Sequence, residues 1–118
     1  MSRQNPTVII ALGGNAISPK NESGDIEKQF EHTRESLDAM MHFINERYNI
    51  CITHGNGPQV GAELLKNEIT KDKIPSLPLG ILVANTQGAI GYMIQQTLQN
   101  ALQKKDIDRE VVTFISQV

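Results

Sequence analysis

The chain has 118 residues, one domain's worth at ~100–200 residues per domain, and its eleven Lys and Arg against thirteen Asp and Glu leave a net charge of −2. Without a basic stripe, and with no Trp, two Tyr and three Phe, neither duplex binding nor base stacking is expected, so no nucleic-acid partner is read here. The longest apolar runs, Val8–Leu12 and Ile81–Ala84, fall far short of the ~20 residues of a membrane span. The single cysteine, Cys51, cannot close an intrachain disulfide and suits a reducing compartment. Residues Met1–Pro6 lack a signal peptide's apolar core. The expectation is a cytoplasmic α/β chain.

In chain order, Thr7–Leu12 is a short, β-branched apolar run stopped by Gly13-Gly14, and predicts a strand covered on both faces, as in a parallel sheet. Turn residues over 19–25 precede a helix, with Ser23 or Asp25 as its N-cap. Ile26, Phe30, Thr33, Leu37, Met40, Met41 and Ile44 recur at steps of three and four, which predicts one helix over about 26–47. Tyr48–Thr53 reads as a second strand with Cys51 as a core thiol, ended by His54-Gly55-Asn56-Gly57-Pro58. Proline suits the first position of a helix, and Val60, Leu64, Leu65 and Ile69 would be that helix's buried stripe. Residues 71–79 read as an irregular connection, followed by a third helix over about 81–103. Gly88 and Gly91 inside that helix predict the close approach of another backbone. Residues 110–118 read as a third strand. The order β–α–β–α–α–β predicts a parallel sheet with helices on its faces.

Ligands of open α/β sheets gather at the carboxyl ends of the strands. Both glycine clusters fall there: Gly13-Gly14-Asn15 and Gly55-Asn56-Gly57. Glycine permits positive φ and leaves no Cβ to block a ligand, and exposed N–H groups beside a helix N-terminus favour an anion. Two such loops on neighbouring strands can enclose a small oxyanion or the phosphoryl group passing to it. No G-x-x-x-x-G-K-[ST] occurs, and Gly55-x-Gly57-x-x-x-Gly61 is one residue too long for a dinucleotide fingerprint, so an oxidoreductase half-domain is a remote reading. His32, His42 and Cys51 make no metal-ligand pattern. His54 is either a proton shuttle or a turn-orienting residue, and Asn85-Thr86-Gln87 either face the site or cap the third helix.

Three stretches carry a resemblance: Ala11-Leu12-Gly13-Gly14-Asn15-Ala16, His54-Gly55-Asn56-Gly57-Pro58-Gln59-Val60-Gly61 and Thr86-Gln87-Gly88-Ala89-Ile90-Gly91-Tyr92. In order and spacing they resemble the N-terminal motifs of carbamate kinases, within the amino acid kinase superfamily. The resemblance implies a three-layer α/β/α sandwich, reversible phosphoryl transfer between ATP and carbamate, and a homodimer. It implies that Gly13, Gly14 and Asn15 cradle the phosphoryl group and that Gly55, Asn56 and Gly57 hold the carbamate end. Related amino acid kinases carry a lysine where this chain has Ala11, which fits the carbamate kinase branch. The resemblance places the catalytic lysines, the nucleotide pocket and the residues for Mg²⁺ with ATP or ADP outside these residues. Residues 1–118 are therefore expected to be an N-terminal lobe fragment, inactive alone. The alternative is a short relic that binds a small anion or dimerises without catalysis.

Overall fold

The computed structural model describes residues 4–22 and 24–117. Strands β1 (Thr7–Leu12) and β2 (Asn49–His54) pair in parallel, from Thr7 opposite Asn49 to Leu12 opposite His54. Around them stand α1 (Gly14–Ile17), α2 (Ile26–Asp38), α3 (Met41–Asn45), α4 (Gly57–Thr70) and α5 (Leu79–Lys104). The core lies on one side of the sheet. Leu37, Met40, Met41 and Ile44 meet Leu98 and Leu102 of α5 over Ile10, Leu12, Ile50 and Ile52. Ile17, Ile90, Met93 and Ile94 form a second cluster nearer the glycine loops.

Burial along both strands alternates residue by residue, so one face only is covered. Among the described residues the second face of the sheet is open. Ile9, Ala11, Cys51 and Thr53 share the open face, and Cys51 is an exposed thiol, not a core one. The helix expected over 26–47 is broken at Ala39–Met40. There Met40 N–H bonds back to Leu37 O at 2.9 Å, a tightened turn. A straight helix would set Met40 and Met41 ~100° apart, whereas the break buries both. Asp25 is the N-cap of α2, its Oδ1 accepting Lys28 N–H at 2.9 Å, while Ser23 lies outside the described residues.

Two helices end on non-glycine residues in the left-handed region, Arg47 at φ 61° and Asp106 at φ 55°. At each, paired bonds close the helix: Tyr48 N–H to Phe43 O and Arg47 N–H to Ile44 O, then Ile107 N–H to Leu102 O and Asp106 N–H to Gln103 O. The stripe expected on α4 is not buried. Leu64, Leu65 and Ile69 are 45, 60 and 71% exposed, because α4 touches the rest of the fold mainly along α5 and α1.

The third strand does not form among the described residues 110–117. A strand is defined by backbone partners, and here side chains of α5 take that place. Gln99 donates Nε2–H to Arg109 O and accepts Val111 N–H, at 3.1 Å each. Gln87 does the same for Ser116, donating to its carbonyl at 3.1 Å and accepting its N–H at 2.9 Å. Gln87 and Gln99 lie about 18 Å apart along the helix at 1.5 Å per residue. The segment must cross that span in a few residues, so it is nearly fully extended. Gly91 serves this docking: a Cβ there would collide with Thr113 Cγ2, and Thr113 Oγ1 bonds to Gln95 Oε1 at 2.8 Å. Gly88, by contrast, has nothing within 4 Å of such a Cβ.

Candidate functional site

Because Leu12 pairs with His54, the chain leaves the two strands side by side, and the glycine loops begin as neighbours. Gly55 N–H bonds to Leu12 O at 3.0 Å. Gly14 N lies 3.3 Å from where a Cβ on Gly55 would stand. A Cβ on Gly14 would meet Pro58 Cδ at 2.9 Å, and Gln59 Oε1 and Gly57 N at 3.3 Å each. Gly14 is thus required by the packing of one loop on the other. Gly13 and Gly57 differ, with nothing within 4 Å of an added Cβ. No described glycine has positive φ, which corrects the expectation that the clusters use glycine's left-handed freedom. Close approach is what they use.

Asn15 sits in the single turn of α1 with its side chain exposed. Asn56 stands at the N-cap position of α4, but its side chain does not cap the helix. Its Nδ2–H donates instead to Thr86 Oγ1 at 3.0 Å, and Thr86 donates in turn to Val83 O at 2.9 Å. Thr86 is buried. One hydroxyl therefore accepts once and donates once, fixing the second loop to α5. Of Asn85, Thr86 and Gln87, only Thr86 bonds to a glycine loop. All three lie beyond the first turn of α5, whose N-cap is Pro78, so they do not cap it. His54 Nδ1–H donates to Gly55 O at 3.1 Å, the turn-orienting arrangement.

Gln59 escaped the sequence reading as a site residue, although it lies inside the most specific motif. Its carboxamide is packed against Gly14, with Oε1 and Nε2 both shielded and unpaired. Only a buried, unsatisfied amide distinguishes it, and that is invisible without coordinates.

The arrangement supplies backbone positioning rather than charge. The first-turn N–H groups of the 14-residue α4 have no acceptor within their helix and open beside the first loop. Neither loop contains Lys or Arg. Among the described residues no group of three or more His, Cys, Asp or Glu is placed to hold a metal. His32 lies on α2, outside both glycine loops. Its Nε2 meets Glu22 Oε2 at 2.5 Å and its Nδ1 meets Glu35 Oε2 at 3.2 Å. The hydrogen bond to Glu22, then that to Glu35, holds its pKa above the ordinary histidine value.

A parallel β-pair whose adjacent carboxyl ends carry two interlocked glycine loops, with helices packed behind, is part of the amino acid kinase fold. Within that fold the chain is similar in sequence and structure to carbamate kinases. It is 44% identical to the carbamate kinase of Pyrococcus horikoshii over 112 residues, 93% of this chain and 36% of that protein. It is 42% identical to the carbamate kinase-like protein YahI of Escherichia coli over 94% of this chain and 35% of that protein. The solved carbamate kinase from Giardia lamblia bound to AMP-PNP superposes with a TM-score of 0.84 at 35% identity, covering 89% of this chain and 37% of that one. No family model matches the chain. The chain spans about a third of the length of these relatives. No described helix is long and apolar enough to cross a membrane.

Proposed function

We propose that this chain carries the carbamate- and phosphoryl-holding part of a cytoplasmic carbamate kinase. The observation that carries the reading is the interlocking of the two glycine loops at adjacent strand ends, in a chain 44% identical to a carbamate kinase. In the reaction, the phosphoryl group of carbamoyl phosphate passes to ADP. The bond from phosphorus to the carbamate oxygen breaks and one to the terminal ADP oxygen forms. Gly13, Gly14 and Asn15 cradle the phosphoryl group, while Gly55, Asn56 and Gly57 hold the carbamate end. Gly13 and Gly57 leave open space, as a ligand between the loops requires. Asn56 is held in place by Thr86, so the second loop does not need to reorganise on binding.

Such transfer rests on in-line positioning and charge neutralisation. Well-placed backbone donors contribute on the order of 10²–10³-fold each. Neutralising cations belong to the part of the relatives this segment does not span. No described residue of this chain is placed to hold Mg²⁺; bound with ATP or ADP by that other part, it would supply positive charge at the phosphates. The exposed Leu64, Leu65 and Ile69 of α4, with Ile74 just beyond its end, support a homodimer joined along α4.

The test is an ADP-to-ATP assay with carbamoyl phosphate. The 118-residue chain alone should give no turnover. Joined to the remaining two-thirds of a relative, it should approach the ~1–100 s⁻¹ typical of kinases. Turnover by the chain alone would show that its own residues supply the charge. An inactive joined protein that still binds carbamoyl phosphate would favour the non-catalytic binding module.

A further inference from the structure

Gln59 is a residue of the first turn of α4, immediately after Pro58. Its Oε1 and Nε2 are shielded from solvent, and neither has a hydrogen-bond partner. Oε1 lies 3.3 Å from the position of a Cβ on Gly14, so the amide rests on the first glycine loop. A carboxamide brings two N–H donors and two oxygen lone pairs. Leaving them unmade in the interior costs free energy that methionine or leucine of similar volume would not incur. Packing therefore does not account for glutamine here, and a buried unsatisfied group calls for another role. The neighbouring loop has complementary groups. In α1, Ala16 N–H is taken by Gly13 O at 3.0 Å, which leaves the N–H groups of Gly14 and Asn15 as the loop donors without an acceptor in their own turn.

We propose that Gln59 is a positioning residue for the first glycine loop. Its amide is the hydrogen-bond partner that the Gly13-Gly14-Asn15 backbone acquires when an oxyanion of the carbamate or phosphoryl class is held between the loops. This rests on the carbamate kinase reading and adds to it a device that couples occupancy to loop geometry. Binding draws the first loop onto the amide, and the bonds formed offset the cost of ordering that loop. Gln59 touches no reacting atom; it acts through Gly14.

Thermal melts of the chain with carbamoyl phosphate, and with inorganic phosphate as comparator, test this on wild type, Gln59→Met and Gln59→Glu. Without ligand, Gln59→Met should melt at or a few degrees above wild type, by up to ~4 °C, because no bond is lost. Its apparent affinity for carbamoyl phosphate should nevertheless fall about tenfold or more. Gln59→Glu replaces the amide with a charged and stronger acceptor for a loop N–H, so it should slow amide exchange at Gly14 and Asn15 without any ligand. A Gln59→Met chain that melts well below wild type would show the amide already bonded and overturn the proposal. Undiminished carbamoyl phosphate affinity in that variant would overturn it as well. Wild type that ignores carbamoyl phosphate would instead refute the functional reading, and the ligand-free melts and exchange rates would still decide the state of the amide.

Discussion

Replacing Gly14 by alanine separates the two reasons a glycine can stand in these loops. The added Cβ would lie 2.9 Å from Pro58 Cδ and 3.3 Å from both Gln59 Oε1 and Gly57 N. Carbon contacts are comfortable at ~3.5–4.0 Å, so the loops must separate by about half an ångström or more. Overpacking of this kind costs about 1–3 kcal/mol. At roughly 4 °C per kcal/mol for a chain of this length, the melting temperature should drop by roughly 4–12 °C. Gly57→Ala provides the contrast, with nothing within 4 Å of its Cβ. Its lower unfolded-state entropy should leave stability unchanged or raise it by up to ~1 kcal/mol, while the methyl intrudes where the ligand is proposed to lie. Adding Pro58→Ala to Gly14→Ala should recover about 1 kcal/mol, a coupling measured by a double-mutant cycle. Equal melting temperatures for Gly14→Ala and Gly57→Ala, or strict additivity with Pro58→Ala, would refute the interlocking of the loops.

Thr86→Val keeps the shape of a buried residue but removes the acceptor of Asn56 Nδ2; urea unfolding should show a loss of about 1 kcal/mol, and amide exchange at Asn56 and Gly57 should quicken. His32 can donate to both Glu22 and Glu35 only as the doubly protonated cation. With its folded pKa raised, this contribution is complete below the unfolded value of about 6.5 and is lost as pH rises through the folded value. His32→Asn should therefore flatten the decline of melting temperature as pH rises above about 6.5. Gln99→Leu removes both bonds to Arg109 O and Val111 N–H, and exchange at Val111 should rise severalfold while the Met40–Leu98 core stays protected.

The strands, α4 and α5 were legible because their signals are local: β-branched runs stopped by glycine, Pro58 opening α4, Pro78 preceding α5. The glycine loops were legible for the same reason, each lying directly after a strand. What failed depended on partners. A continuous apolar run over 7–12 cannot reveal which face of β1 this segment's own helices cover. Periodicity ran through Met40 and Met41 without a break, since both are apolar and the tightened turn at Leu37–Met40 leaves no mark in composition. Residues 110–117 have a strand's composition, but Gln87 and Gln99 take the backbone bonds that a neighbouring strand would make. The clamp from Thr86 to Asn56 spans thirty residues, and only the register of the fold brings its ends together.

The grip of Gln87 and Gln99 on residues 109–116 has a kinetic meaning. A strand joining a sheet from the unfolded chain must fix each residue's backbone, a cost of about 1–2 kcal/mol apiece, before the ladder forms. Here the segment is already straightened along α5 by side-chain amides at its two ends. Val112 and Phe114, between those ends, are exposed. Any strand arriving there would meet a template aligned in advance, so the step left to complete is collision and register, with little chain ordering left over.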